Sequence, residues 1–150
     1  MKKIERSFLM KITAAMHTAG WDLNTVYDQI CILYGVAGHI KKTSWKDQAR
    51  KLAAFVCDLS NYTPNRQPAH CTPPPFKLFQ PGNGKLPFLS WSTLPGFNCP
   101  GAGSCWVLNK NKFSGWCYSV KAWRYPAAYL RQLQNTVLEQ TPAGRWFIKQ

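Results

Sequence analysis

Phe76-Lys77-Leu78-Phe79-Gln80-Pro81-Gly82-Asn83-Gly84-Lys85-Leu86-Pro87-Phe88-Leu89-Ser90-Trp91 is the stretch whose reading decides the fold class. Two short apolar and aromatic runs, 76–79 and 86–91, flank a Pro81-Gly82-Asn83-Gly84 turn, which is the composition of short strands around a tight connection. Pro87 has no amide hydrogen and belongs at a sheet edge or a strand start. With strands here and helices before them, the expected class is α+β.

Upstream, residues 1–60 read as a helical segment. Ile4, Phe8, Ile12 and Met16 recur every four residues, with Leu9, Ala15 and Ala19 widening the stripe and Gly20 ending it. A second helix is expected over about 23–34, with Val26, Tyr27, Ile30, Cys31, Leu33 and Tyr34 on a broad apolar face. A third starts at Ser44, followed three residues on by Asp47, whose carboxylate suits the positive end of the helix dipole. Trp45, Ala49, Leu52, Ala53, Val56 and Leu59 form its apolar face, and Cys31 and Cys57 read as core residues. Residues 61–75 carry Pro64, Pro68 and Pro73-Pro74-Pro75, which exclude helix and mark a linker and domain boundary.

Downstream, residues 76–150 form the expected small αβ region. Leu94-Pro95-Gly96 turns the chain into a loop with Cys99, Cys105 and Cys117. A helix begins at Pro126, a residue suited to the first helical position, and runs to about Glu139. Its buried side is expected at Leu130, Leu133, Val137 and Leu138, with Arg131, Gln132 and Gln134 mostly outside. Thr141-Pro142-Ala143-Gly144 stops it, and the apolar end Arg145-Trp146-Phe147-Ile148-Lys149 reads as a further strand, either an ordinary edge or the start of a longer domain.

The formal net charge is +13 with an isoelectric point near 9.8. Residues 59–150 hold ten Lys or Arg against Glu139 as their one acidic residue, so this half cannot neutralise itself and should attract a polyanion. No uninterrupted apolar core of a signal peptide is visible, since Lys11 breaks the first apolar stretch, and no run is long enough to span a bilayer. The expected setting is cytoplasmic, without a membrane partner, where the six cysteines would be thiols or metal ligands.

Catalytic chemistry finds little to build on. The three histidines, His17, His39 and His70, lie far from the cysteine loop in sequence, so no Cys–His pair can be argued. Glu139 has no carboxylate partner in its half, which disfavours two-carboxylate hydrolysis and two-metal nuclease chemistry. The cysteines are separated by five residues (Cys99 to Cys105) and eleven (Cys105 to Cys117). That spacing fits neither the close pairs of structural zinc sites nor the usual iron–sulfur runs. Cys99, Cys105 and Cys117 are nonetheless the candidate ligands, for zinc or an iron–sulfur cluster.

Nucleic acid is the expected partner, DNA rather than RNA. Lys110, Lys112, Lys121, Arg124 and Arg131 are interleaved with aromatic residues, as in single-strand binders that pair a cationic groove with stacking platforms. Trp123, Arg124 and Tyr125, just before the Pro126 helix, are expected to be exposed, whereas Trp106, Trp116 and Tyr129 belong to the core. The expected function is nucleic-acid binding by the basic, aromatic half. The alternatives are the front part of a metal- or cluster-dependent enzyme, and a structural or partner-binding protein.

Leu94-Pro95-Gly96, Cys99-Pro100-Gly101-Ala102, a further cysteine, Cys117-Tyr118-Ser119 and Arg124-Tyr125-Pro126 resemble the opening of the phage "gene product 88" family, whose relatives occur on plasmids. The resemblance covers about residues 83–140. It departs from the pattern in the longer gap between Cys105 and Cys117 and in the helical first sixty residues. It implies a mobile-element protein, a metal or cluster site at Cys99, Cys105 and Cys117, and a motif that opens a longer chain; it implies no reaction.

Overall fold

The computed structural model describes residues 4–36, 44–65, 72–82, 84–96, 99, 103, 105, 107–109, 112–114 and 117–150. It is a helical protein. In chain order the helices are α1 (Arg6–Thr18), α2 (Leu23–Val36), α3 (Ser44–Leu59), a 3-10 helix (Tyr118–Arg124), α4 (Pro126–Gln140) and α5 (Pro142–Ile148). The first three follow the apolar periodicity. Leu9, Ile12 and Met16 are buried on α1, Val26, Ile30 and Leu33 on α2, and Ala49, Leu52, Phe55, Val56 and Leu59 on α3. α1 ends where Gly20 adopts φ +64°; the Gly20 N–H then reaches the His17 carbonyl at 2.9 Å and the Trp21 N–H reaches Met16 at 3.0 Å. These two bonds satisfy carbonyls that the last turn leaves open.

The α+β expectation is overturned. Residues 76–79 and 86–91 are irregular chain joined by one antiparallel bridge, Gln80 to Ser90, with N–H···O distances of 2.8 and 3.1 Å. Pro81 and Pro87 remove two amide donors from any ladder. Several other backbone groups between 76 and 94 bond to side chains of α4. The Gln134 amide accepts from Phe76 N–H at 3.1 Å and donates to the Phe76 carbonyl at 3.0 Å, doing for that residue what a neighbouring strand would do. Asn135 donates to the carbonyls of Leu78 and Ser92, and Leu94 N–H donates to Thr136 Oγ1 at 2.9 Å. Strand pairing among the described residues is confined to a short hairpin of β1 (Val107–Asn109) and β2 (Lys112–Ser114).

The polar side of α4 is therefore inside, against expectation: Gln132 and Gln134 are buried together with Asn135 and Thr136. Leu130, Leu133, Val137 and Leu138 of the same helix pack into a hydrophobic cluster that also contains residues of α1, α2 and α3. Residues 61–75 thus join two parts of the chain that share one cluster. A hydrogen bond crosses between them as well. Thr13 donates to the Leu9 carbonyl at 2.6 Å, so the 2.7 Å contact between Tyr129 and Thr13 has the phenol as donor. Burial pushes the Tyr129 phenol well above its ordinary range.

The C-terminal strand is also corrected, since residues 142–148 form α5. Thr141 caps this helix, its hydroxyl accepting from Gly144 N–H at 3.0 Å. A Cβ on Gly144 would lie 2.5 Å from Leu138 Cα, so only glycine lets α5 fold back this closely on α4.

Candidate nucleic-acid interface

The segment after Cys117 is sorted by its geometry. A 3-10 helix has three residues per turn, so side chains at i and i+3 eclipse one another. Val120 and Trp123 form the inward row, 1% and 0% exposed. Tyr118, Lys121 and Arg124 form the outward row, and all are exposed, Tyr118 to 79%. Tyr125 follows as the residue before α4 and is 59% exposed. Each cation sits by a ring: Lys121 Nζ lies 5.3 Å from the Tyr118 centroid, and the Arg124 guanidinium 4.9 Å from that of Tyr125. The result is a line of two phenols and two cations on the acid-poor half of the chain.

Trp123, expected at the surface, is instead the anchor that fixes this row. Its Nε1–H donates to Gln132 Oε1 at 2.9 Å, Gln132 donates on to Ser92 Oγ at 3.1 Å, and its ring meets Tyr129 edge-on at 5.0 Å. A buried indole needs an acceptor for its N–H, and Gln132 supplies it from the next helix. Trp123 therefore positions the exposed row and does not stack on a ligand. Tyr129 is in the core, as expected, whereas Trp106 and Trp116 lie outside the described residues.

The remaining basic candidates divide. Lys110 lies outside the described residues, and Lys112 opens β2 opposite Asn109. Arg131 is half-buried on α4, and its Nε is buried with no hydrogen-bond partner among the described residues. Tyr118 is one of the aromatic residues interleaved with the basic ones in the sequence but is not among the candidates chosen from it, yet it is the most exposed of the large hydrophobic residues described. Its signal was the three-residue spacing Tyr118, Lys121, Arg124.

Among the described residues the three loop cysteines are not brought together as one group able to hold an ion. Cys99 is exposed, while Cys105 and Cys117 are half-buried and pack against the hydrophobic cluster. Among the described residues no group of three or more His, Cys, Asp or Glu side chains is placed to hold an ion. Cys31 and Cys57, expected in the core, are exposed: each lies beside the apolar stripe of its helix and not within it. Among the described residues no helix is long and apolar enough to cross a membrane.

Compared with known proteins, the chain matches no family model, no curated protein and no solved structure.

Proposed function

We propose that this chain binds single-stranded nucleic acid, DNA rather than RNA, through Tyr118, Lys121, Arg124 and Tyr125, and serves a phage or plasmid in doing so. The observation that carries the reading is the outward row of the 3-10 helix continued by Tyr125, where two cations lie between two exposed phenols, each cation beside one ring. A single strand offers bases to stack and phosphates to neutralise at short intervals, and this row offers both partners. The surrounding half-chain adds long-range attraction, with ten basic residues against one acidic. The mobile-element setting rests on the "gene product 88" motifs alone.

Fluorescence anisotropy with a labelled oligodeoxynucleotide tests the proposal. Affinity should fall steeply and linearly on a logarithmic salt scale. Tyr118→Ala should cost about 1–3 kcal/mol of binding, the usual worth of one stacked base. Lys121→Glu with Arg124→Glu should weaken binding further and flatten the salt dependence. Unchanged affinity in these variants at low salt would overturn the assignment.

A second reading, docking of a protein partner, draws support from the bridged loop of residues 80–90. Phe88 and Leu89 there are 59% and 68% exposed, a large apolar area for one loop. On that reading the same charge reversals leave partner binding intact.

A further inference from the structure

Residues 80–90 form a closed loop that is tied to α4. Its neck is the bridge between Gln80 and Ser90, whose two N–H···O bonds measure 2.8 and 3.1 Å. Just outside the neck, the Asn135 amide donates to the carbonyls of Leu78 and Ser92 at 3.2 and 3.0 Å, so one side chain of α4 holds both stems. Within the loop, the Gly82 backbone lies against that of Pro87 and Phe88, where a Cβ would meet the Pro87 carbonyl carbon at 2.7 Å. Closure at these two levels lets the loop keep its shape without burying its side chains. Every described residue from Pro81 to Leu89 is exposed. Leu86, Phe88 and Leu89 are about half exposed or more, and Phe79, whose ring lies 5.6 Å from that of Trp91, is half exposed. Lys77 and Lys85 are exposed on the same segment, and no Asp or Glu occurs in the sequence between Asp58 and Glu139.

We propose that this loop docks on the surface of an anionic phospholipid bilayer, with Leu86, Phe88 and Leu89 entering the acyl boundary and Lys77 and Lys85 remaining among the headgroups. Exposed apolar side chains grouped on one loop mark a surface that is covered in use. Two of the three are leucines, which have no π-face to offer a base, whereas hydrocarbon accepts Leu and Phe alike. A partner protein would need an apolar groove with acidic borders matched to this loop. An anionic bilayer supplies both properties at every point of its surface, and a chain of net charge +13 is drawn to it from a distance. Interfacial binding of this kind combines buried apolar area with basic flanks and needs no spanning helix. Because the loop is already closed, little ordering opposes its insertion.

The surface shares no residue with the nucleic-acid row and is independent of that proposal. Cosedimentation of the full chain with vesicles of phosphatidylcholine and phosphatidylglycerol, set against phosphatidylcholine alone, is the test. The chain should bind the anionic vesicles. Phe88→Ser with Leu89→Ser should lower the partition coefficient by about 100-fold, about tenfold for each side chain withdrawn from hydrocarbon. Lys77→Gln with Lys85→Gln should lower it by about 25-fold on the anionic vesicles. The first pair keeps the charge of the wild type, so unchanged binding would mean adsorption by charge alone and overturn the proposal. Hydrogen exchange of the wild-type chain needs no variant: on the vesicles it should slow at residues 84–89 more than at 118–125, and the reverse order overturns the assignment. No binding to anionic vesicles at low salt would also overturn it and leave the loop to a protein partner.

Discussion

Helices α3 and α4 are nearly equal in length, 16 and 15 residues, and both contribute to the same hydrophobic cluster, yet they use their polar residues in opposite ways. On α3 Asp47, Arg50 and Lys51 stay at the surface, where Asp47 pairs with the other two at 2.8 and 3.1 Å, and only the half-buried Asp58 near its end takes a backbone N–H, that of Thr72. Exposed pairs of this kind contribute little to stability. On α4, Gln132, Gln134, Asn135 and Thr136 are buried, and their amides and hydroxyl hold irregular chain. One helix is positioned by apolar area on a single face. The other is held around most of its circumference, by apolar packing and by side-chain hydrogen bonds together. A polar residue in a helix therefore marks a solvent face only when no irregular segment passes nearby with unmet backbone groups.

The contrast can be broken most severely on the apolar side. Phe55 on α3 is 1% exposed and meets Phe147 of α5 edge-on at 5.4 Å. Phe55→Ala should cost about 3–5 kcal/mol in urea unfolding, the range for buried aromatic truncation. The polar side comes next. Gln134→Leu keeps the volume but strands the N–H and the carbonyl of Phe76. It should cost about 1–3 kcal/mol, the penalty of a buried unpaired group, and make the 76–94 chain more sensitive to proteases than Phe55→Ala does at matched stability. The smallest effect belongs to the bond between the two parts. Tyr129→Phe removes the hydrogen bond to Thr13 and should cost about 0.5–1.5 kcal/mol at neutral pH.

That last variant also carries a pH signature. The folded phenol is raised above the unfolded value near 10, so above that pH the unfolded chain loses its proton first. The folded state then binds more protons than the unfolded one, and stability falls as pH rises. Tyr129→Phe should lessen the fall seen in urea midpoints above about pH 10, while leaving the neutral-to-acid limb parallel to wild type.

Much of the helical part was legible in the residues. The four-residue stripe of α1, its stop at Gly20, the Ser44 start of α3 and the Pro126 start of α4 all lie where local chemistry puts them. What was not legible depended on partners distant in sequence. Residues 76–91 have the composition of strands, and their backbone bonds did find partners, but those partners are side chains more than forty positions away on α4. Trp123 reads as exposed beside Arg124 and Tyr125; its burial follows from Gln132, nine residues on, which accepts its N–H. Cys31 and Cys57 sit one position from Ile30 and Val56, where a stripe drawn slightly too wide takes in a surface thiol. The basic row was half visible. Lys121 and Arg124 were chosen for charge, but the three-residue period that adds Tyr118 and turns Trp123 inward belongs to a 3-10 helix only seven residues long.

That period has a genetic consequence. Each residue of a 3-10 helix advances the chain by about a third of a turn. Inserting or deleting a single codon between Val120 and Trp123 would leave the composition almost intact, yet it would rotate Tyr118 against Arg124 by that third. Either the indole would leave Gln132 or the line of cations would split across two faces. Substitutions along the row should therefore be graded in their effect, whereas frame-preserving length changes within it should be nearly all-or-none.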